Sequence, residues 1–131
     1  MKLRVRHNSI RFRLTQSDVG SLRNSGKCRE TILFPGGSSL EYVLLASNAK
    51  EVGVAFSNGV VSVAVPAHQL IDWHSSDQVG ISAAIDLHPG DVQPGKKLEV
   101  LIEKDFRCLD PLVAEDQSDA FENPLSAQMV C

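Results

Sequence analysis

The sequence predicts an α+β fold in which duplicated β-α-β-β(-β) units form a mostly antiparallel, wide eight-stranded barrel or strongly curved sheet with two short helices. Three observations predict it. Segments of alternating apolar and polar residues recur from Lys2 to Lys104, the period of a half-buried strand. Two short stretches carry helix-start signals. The order of the elements, and some of their letters, occurs twice.

The opening MKLRVRHNSIRFRLT alternates in two pieces, Lys2, Arg4 and Arg6 with Leu3 and Val5, then Arg11 and Arg13 with Ile10, Phe12 and Leu14. Thr15-Gln16-Ser17-Asp18 follows, a Thr-x-x-Asp arrangement whose hydroxyl takes a free amide of a first helical turn. A short helix over Gln16–Ser25 is expected, with Val19 and Leu22 as its apolar stripe. Gly26 ends it, because glycine accepts the left-handed C′ conformation. Strand patterns then run over Cys28–Phe34, Leu40–Ala46 and Val52–Phe56. Short connections make these three antiparallel neighbours.

After Ser57-Asn58-Gly59 the order begins again. Val60–Val65 reads as an apolar strand, Pro66 as a helix-start proline, and Ala67–His74 as a helix with Leu70, Ile71 and Trp73 on one face. Strands over Val79–Leu87 and Leu98–Lys104 flank the turn His88-Pro89-Gly90. NSIRFRLT answers to NGVVSVAVP, LFPGG to LHPGD and LEYVL to LEVLI. The spacing is too long and the copies too few for a solenoid, so the two units read as halves of one closed structure whose edges each half covers for the other.

Composition bounds the function. The 131 residues are 43% hydrophobic and 22% charged, which suits one domain burying about two-thirds of its unfolded surface. A single duplicated domain is expected over 1–110, with an acidic, mostly irregular tail over 111–131. Neither a signal-peptide core nor about eighteen consecutive apolar residues is present, which predicts a cytoplasmic protein with no membrane partner. Cys28, Cys108 and Cys131 are odd in number and lack C-x-x-C spacing, which suits reduced thiols.

The net charge of −3 is unevenly spread: residues 1–29 hold eight bases against Asp18 alone, and residues 109–131 hold five acids and no base. Such a layout suits an anion-binding head with an acidic tail, or two solvated surfaces. Nucleic acid is not expected, because only 5% of residues are aromatic and the isoelectric point is about 5.7, which leaves little for base stacking or backbone binding.

The duplicated element order over roughly residues 1–106 resembles the triphosphate tunnel metalloenzymes, the CYTH group. That resemblance implies a wide antiparallel barrel with basic side chains around a triphosphate. The family's metal-holding E-x-E-x-K is replaced here by Lys2-Leu3-Arg4-Val5-Arg6, so the hard cation lacks its carboxylates and catalysis is not implied. In texture, RFRLTQSDV, EKDFRCLD and DAFENP resemble a group of short, uncharacterised bacterial proteins, which brings no activity with it.

The candidate site is the basic set Lys2, Arg4, Arg6, Arg11 and Arg13, read as lining a concavity that binds a small anionic, phosphate-bearing ligand. Glu99, Glu103 and Asp105 share one strand face by parity and are charge partners of those cations or metal ligands. Cys108 beside Arg107 reads as a buried apolar group, and His7, His68, His74 and His88 fall in no metal-binding spacing. There is no P-loop, nucleophile elbow or dinucleotide fingerprint, so no catalytic residue, cofactor or metal is assigned. The competing reading is a non-catalytic structural or interaction module, and a third is a divergent CYTH-like phosphohydrolase.

Overall fold

The computed structural model describes residues 1–106, 119–122 and 124. In chain order the elements are β1 (Lys2–Arg6), β2 (Ser9–Leu14), α1 (Gln16–Ser25), β3 (Lys27–Leu33), β4 (Ser39–Ser47), β5 (Gly53–Ser57), β6 (Val60–Pro66), α2 (Ala67–His74), β7 (Gly80–Asp86) and β8 (Lys97–Lys104). The tail expected over 111–131 lies, except for 119–122 and 124, outside the described residues.

Each helix begins and ends where local chemistry dictates. The Thr15 hydroxyl accepts from the Asp18 amide at 3.3 Å, and the Asp18 carboxylate accepts from the Thr15 amide at 2.9 Å, a reciprocal cap that satisfies two amides at the start of α1. Gly26, at φ 72°, closes it by donating its N–H to the Leu22 carbonyl. Pro66 is the N-cap of α2, and Ser75 closes that helix onto the Ile71 carbonyl. The β5–β6 turn uses Asn58 and Gly59 at φ 53° and 75°, the pair of positive values a two-residue hairpin turn requires.

The strands form two mixed four-stranded sheets, β1-β2-β8-β7 and β3-β4-β6-β5. The expected eight-stranded barrel is therefore corrected: no pairing joins β1 to β3 or β5 to β7, and each sheet keeps two edges. The mostly antiparallel neighbour order is corrected as well. β4 and β5 are not adjacent, because β6 lies between them and runs parallel to β4, just as β8 runs parallel to β2. The helices cause this. Each carries the chain from the end of one sheet to the other, so the returning hairpin pairs with a strand from the other half. The repeating unit is ββαββ, since the first alternating segment is two strands.

The two sheets correspond strand for strand. Leu44 pairs with Val63 where Ile102 pairs with Phe12, and Leu40 faces Ile32 where Leu98 faces Ile85. Facing residues of the two sheets and helices make one core: Phe12, Leu14, Leu44, Val63, Val65, Trp73 and Ile102 are sealed, with Leu22 and Leu70 packed among them. Phe12 and Tyr42 join the sheets across 6.3 Å. The Trp73 indole donates to the Val79 carbonyl at 3.0 Å while the Lys104 ammonium lies 5.8 Å from its ring centre.

Two glycines with similar positive φ should respond differently to alanine. A Cβ on Gly26 would meet only the Ala46 Cβ at 3.7 Å, whereas on Gly59 it would meet the Ser39 carbonyl oxygen at 2.7 Å. Gly26→Ala should cost about 1 kcal/mol from its left-handed backbone alone. Gly59→Ala should cost clearly more, read from urea midpoints at unchanged slope. Equal losses would show that the β3–β4 turn yields to the methyl freely.

Candidate functional site

The register of the first sheet places every basic candidate on one face. Lys2 pairs with Arg13 and Arg13 with Glu103; Arg4 pairs with Arg11 and Arg11 with Leu101; Arg6 pairs with Ser9 and Ser9 with Glu99. Paired residues point the same way, so the five cations, Glu99 and Glu103 share a face opposite the one carrying Phe12, Val100 and Ile102 into the core. The expected basic-lined lumen is thus corrected. The interior face is the apolar one, and the cations stand on the outer surface of an open sheet, with Lys2, Arg4 and Arg6 exposed.

Carboxylates are built into this face. The Arg13 Nε donates to Glu103 Oε1 at 2.9 Å, the Arg11 Nε lies 3.5 Å from the same oxygen, and the Lys2 Nζ lies 3.1 Å from Asp105. Glu103 separates two guanidiniums that would otherwise repel. Asp105 is held there by its own amide, which donates to the Leu14 carbonyl at 2.8 Å. Arg4, Arg6 and Arg11 each have a further interaction within the chain. Among the described residues no group of three His, Cys, Asp or Glu side chains is placed to hold a metal ion.

A second charged cluster was not visible in the sequence. The Met1 ammonium lies 2.7 Å from Asp18 and 3.2 Å from Glu30, and the Met1 carbonyl accepts from the Tyr42 hydroxyl at 3.3 Å. This bridges the first sheet to the second at the β1 and β3 edges. Burial works against the Asp18 charge, but the ammonium and the Thr15 amide and hydroxyl outweigh it and hold the carboxyl below its ordinary 3.8. Burial likewise opposes the ammonium, and its hydrogen bonds to Asp18 and Glu30 raise it above 8.0. The neighbouring Cys28 is a free, buried thiol pushed up to about 11, by burial first and by the Asp18 charge second. Such a thiol is a poor nucleophile. Asp18 was legible as a helix cap; nothing periodic marks Met1 as its partner. Cys108 and Cys131 lie outside the described residues.

The fold and this face define a two-sheet α+β protein with a charged outer face on its first sheet, and among the described residues no helix is long and apolar enough to cross a membrane. Residues 1–125 match a family of unknown function, DUF7009, and the chain belongs to it. The expectation of an uncharacterised family is met at that level, and the match lends nothing to the tunnel-metalloenzyme or bacterial resemblance. Comparisons with curated proteins and with solved structures find no match.

Two outcomes follow from these charges. Replacing Arg11 and Arg13 together by glutamine should cost on the order of 1 kcal/mol, since the pairs are partly exposed, and the loss should shrink in high salt. A loss independent of salt would mean the guanidiniums act through packing. Asp18→Asn should reshape stability against pH. The depressed Asp18 contributes stability above 3.8 that is lost as pH falls through its folded value, while the raised Met1 amine contributes stability below 8.0 that is lost as pH rises through its folded value. Thermal melting between pH 8.0 and 9.0, below the ordinary thiol value of 9.0 for Cys28, should decline in the parent and stay flatter in Asp18→Asn. Identical slopes would show that Asp18 does not raise the amine and that Glu30 alone holds it.

Proposed function

We propose that this protein is a non-catalytic interaction module that engages an acidic polypeptide through the outer face of β1, β2 and β8. One observation carries the reading: five cations share one sheet face, spread along two strands rather than gathered around a point. A ladder of that kind suits an extended run of carboxylates, each exchanging with or adding to the charges present, and it supplies encounter rate and orientation. Phe12, the aromatic nearest these arginines, is wholly buried. That ring therefore offers no stacking platform for nucleic-acid bases. The same reading puts the protein in the cytoplasm, in keeping with a free Cys28.

A small phosphate-bearing ligand is the second reading, and it too has an observation behind it. Arg11 and Arg13 converge on a single carboxylate oxygen of Glu103, the arrangement with which a guanidinium pair takes an oxyanion. A phosphate there has to displace Glu103. The hydrolase reading has no support of this kind, because β1 carries Lys2, Arg4 and Arg6 where catalytic metal ligands would stand.

Fluorescence anisotropy with a labelled glutamate-rich peptide, set beside inorganic phosphate and triphosphate, separates the readings. The peptide should bind, weaken with salt, and lose roughly fivefold in affinity in Arg4→Gln/Arg6→Gln, about 1 kcal/mol for two exposed pairs. Glu103→Gln should leave the peptide bound. Phosphate binding that strengthens in Glu103→Gln, with no peptide binding, would replace the first reading by the second.

A further inference from the structure

The four sheet edges differ in how they are defended. β1 presents Lys2, Arg4 and Arg6, and β3 presents Lys27, Arg29 and Glu30; charge at an edge deters a second strand. At β7, the Gly80 carbonyl already accepts from the Gln78 side chain at 2.9 Å, and α2 packs alongside. β5 has neither defence. Its five residues, Gly53-Val54-Ala55-Phe56-Ser57, carry no charge and no proline, pair with β6 alone among the described strands, and are exposed except for Val54. Phe56 is 69% exposed although it points to the apolar side of the sheet, in register with Val61 and Tyr42.

We infer that β5 is a self-association edge, and that two copies of this chain join β5 to β5 antiparallel to make one continuous eight-stranded sheet across a two-fold axis. The occupant follows from charge and register. Self-pairing sets each edge against its own copy, so β1 would oppose a cationic strand to a cationic strand and β3 would bring Glu30 onto its own equivalent. β5 meets no such repulsion. Centred on Ala55, the pairing sets Val54 of one copy opposite Phe56 of the other, twice. These are aromatic and β-branched neighbours of the kind that stabilise cross-strand contacts, and they cover the ring that stands in solvent. Ala55 faces its own equivalent, and Gly53 faces Ser57, with no bulk to separate the backbones. The contact is an interface between copies by β-augmentation. It is far smaller than the roughly 800 Å² per partner of a standard interface, so the pair forms only at high protein concentration.

Sedimentation equilibrium of the full chain over a wide concentration range tests this. The parent should move from monomer to dimer, and hydrogen exchange at β5 amides should slow as concentration rises while exchange in β1 stays unchanged. Ala55→Lys and Ala55→Glu, at an exposed position, should each remain monomeric, and mixing the two should restore the dimer by setting opposite charges face to face. A parent monomeric at every concentration overturns the inference, as does a dimer that persists in Ala55→Lys or that leaves β5 exchange unchanged. Should either variant fail to fold, the exchange measurement on the parent decides alone. Capture of an extended peptide by β5, with no self-association, would also overturn it.

Discussion

Two parallel strand pairs, β2 with β8 and β4 with β6, hold together hairpins that come from opposite halves of the chain, and the remaining architecture follows from them. Each half supplies its first hairpin to one sheet and its last hairpin to the other, so neither half has a sheet of more than two strands alone, and two strands are marginal in water. The core inherits this division: Phe12 and Ile102 are neighbours, as are Leu44 and Val63. Deleting either half removes half of both sheets.

The basic face depends on the same pairing. Had β2 paired with β3, as a simple meander would have it, Arg11 and Arg13 would lie against Lys27 and Arg29, and four like charges would share adjacent strands. Pairing with β8 instead brings Glu103 between the two arginines and Asp105 to Lys2. Electrostatics did not choose the topology, since such partly exposed pairs are worth little each. They make the chosen topology tolerable on a face of five cations. The second sheet has fewer cations to offset: its outer face carries Val60, Ser62, Ala64 and Val43 beside Lys27 and Arg29, and Arg29 lies 3.2 Å from Glu41.

Much of this was legible because local chemistry decides it. The Thr15–Asp18 cap, Gly26 and Asn58-Gly59 specify conformations that few other residues adopt, and α1 lies where its signals put it, as α2 does after Pro66. Alternation at Arg11, Phe12 and Arg13 fixed which side chains share a face. It was silent on neighbours, because a strand of period two looks the same beside a parallel partner as beside an antiparallel one. For that reason the repeat in LEYVL and LEVLI was readable while the barrel inferred from it was not there. The Met1 cluster was illegible for another reason: an ammonium group has no periodicity, and only the folded edge of β1 brings it to Asp18. The concavity failed with the barrel, since a lumen exists only if both seams close.

The order of manufacture adds a consequence to the central position of β8. Arg13 and its partner Glu103 are 90 residues apart, and β8 is flanked on both sides, by β2 and β7. On the ribosome, the hairpin of β1 and β2 emerges long before the strand that covers Phe12 and Leu14 has been made. The second sheet can assemble once Pro66 is out, since β3 through β6 are then all present. Translation therefore allows an order that the pseudo-symmetric product conceals: the less charged sheet has all four of its strands before β8 exists, and until then the first hairpin carries arginines on one face and bare core residues on the other. The cations of that hairpin then act as solubilising groups on a nascent chain, a task finished before the protein has its final shape.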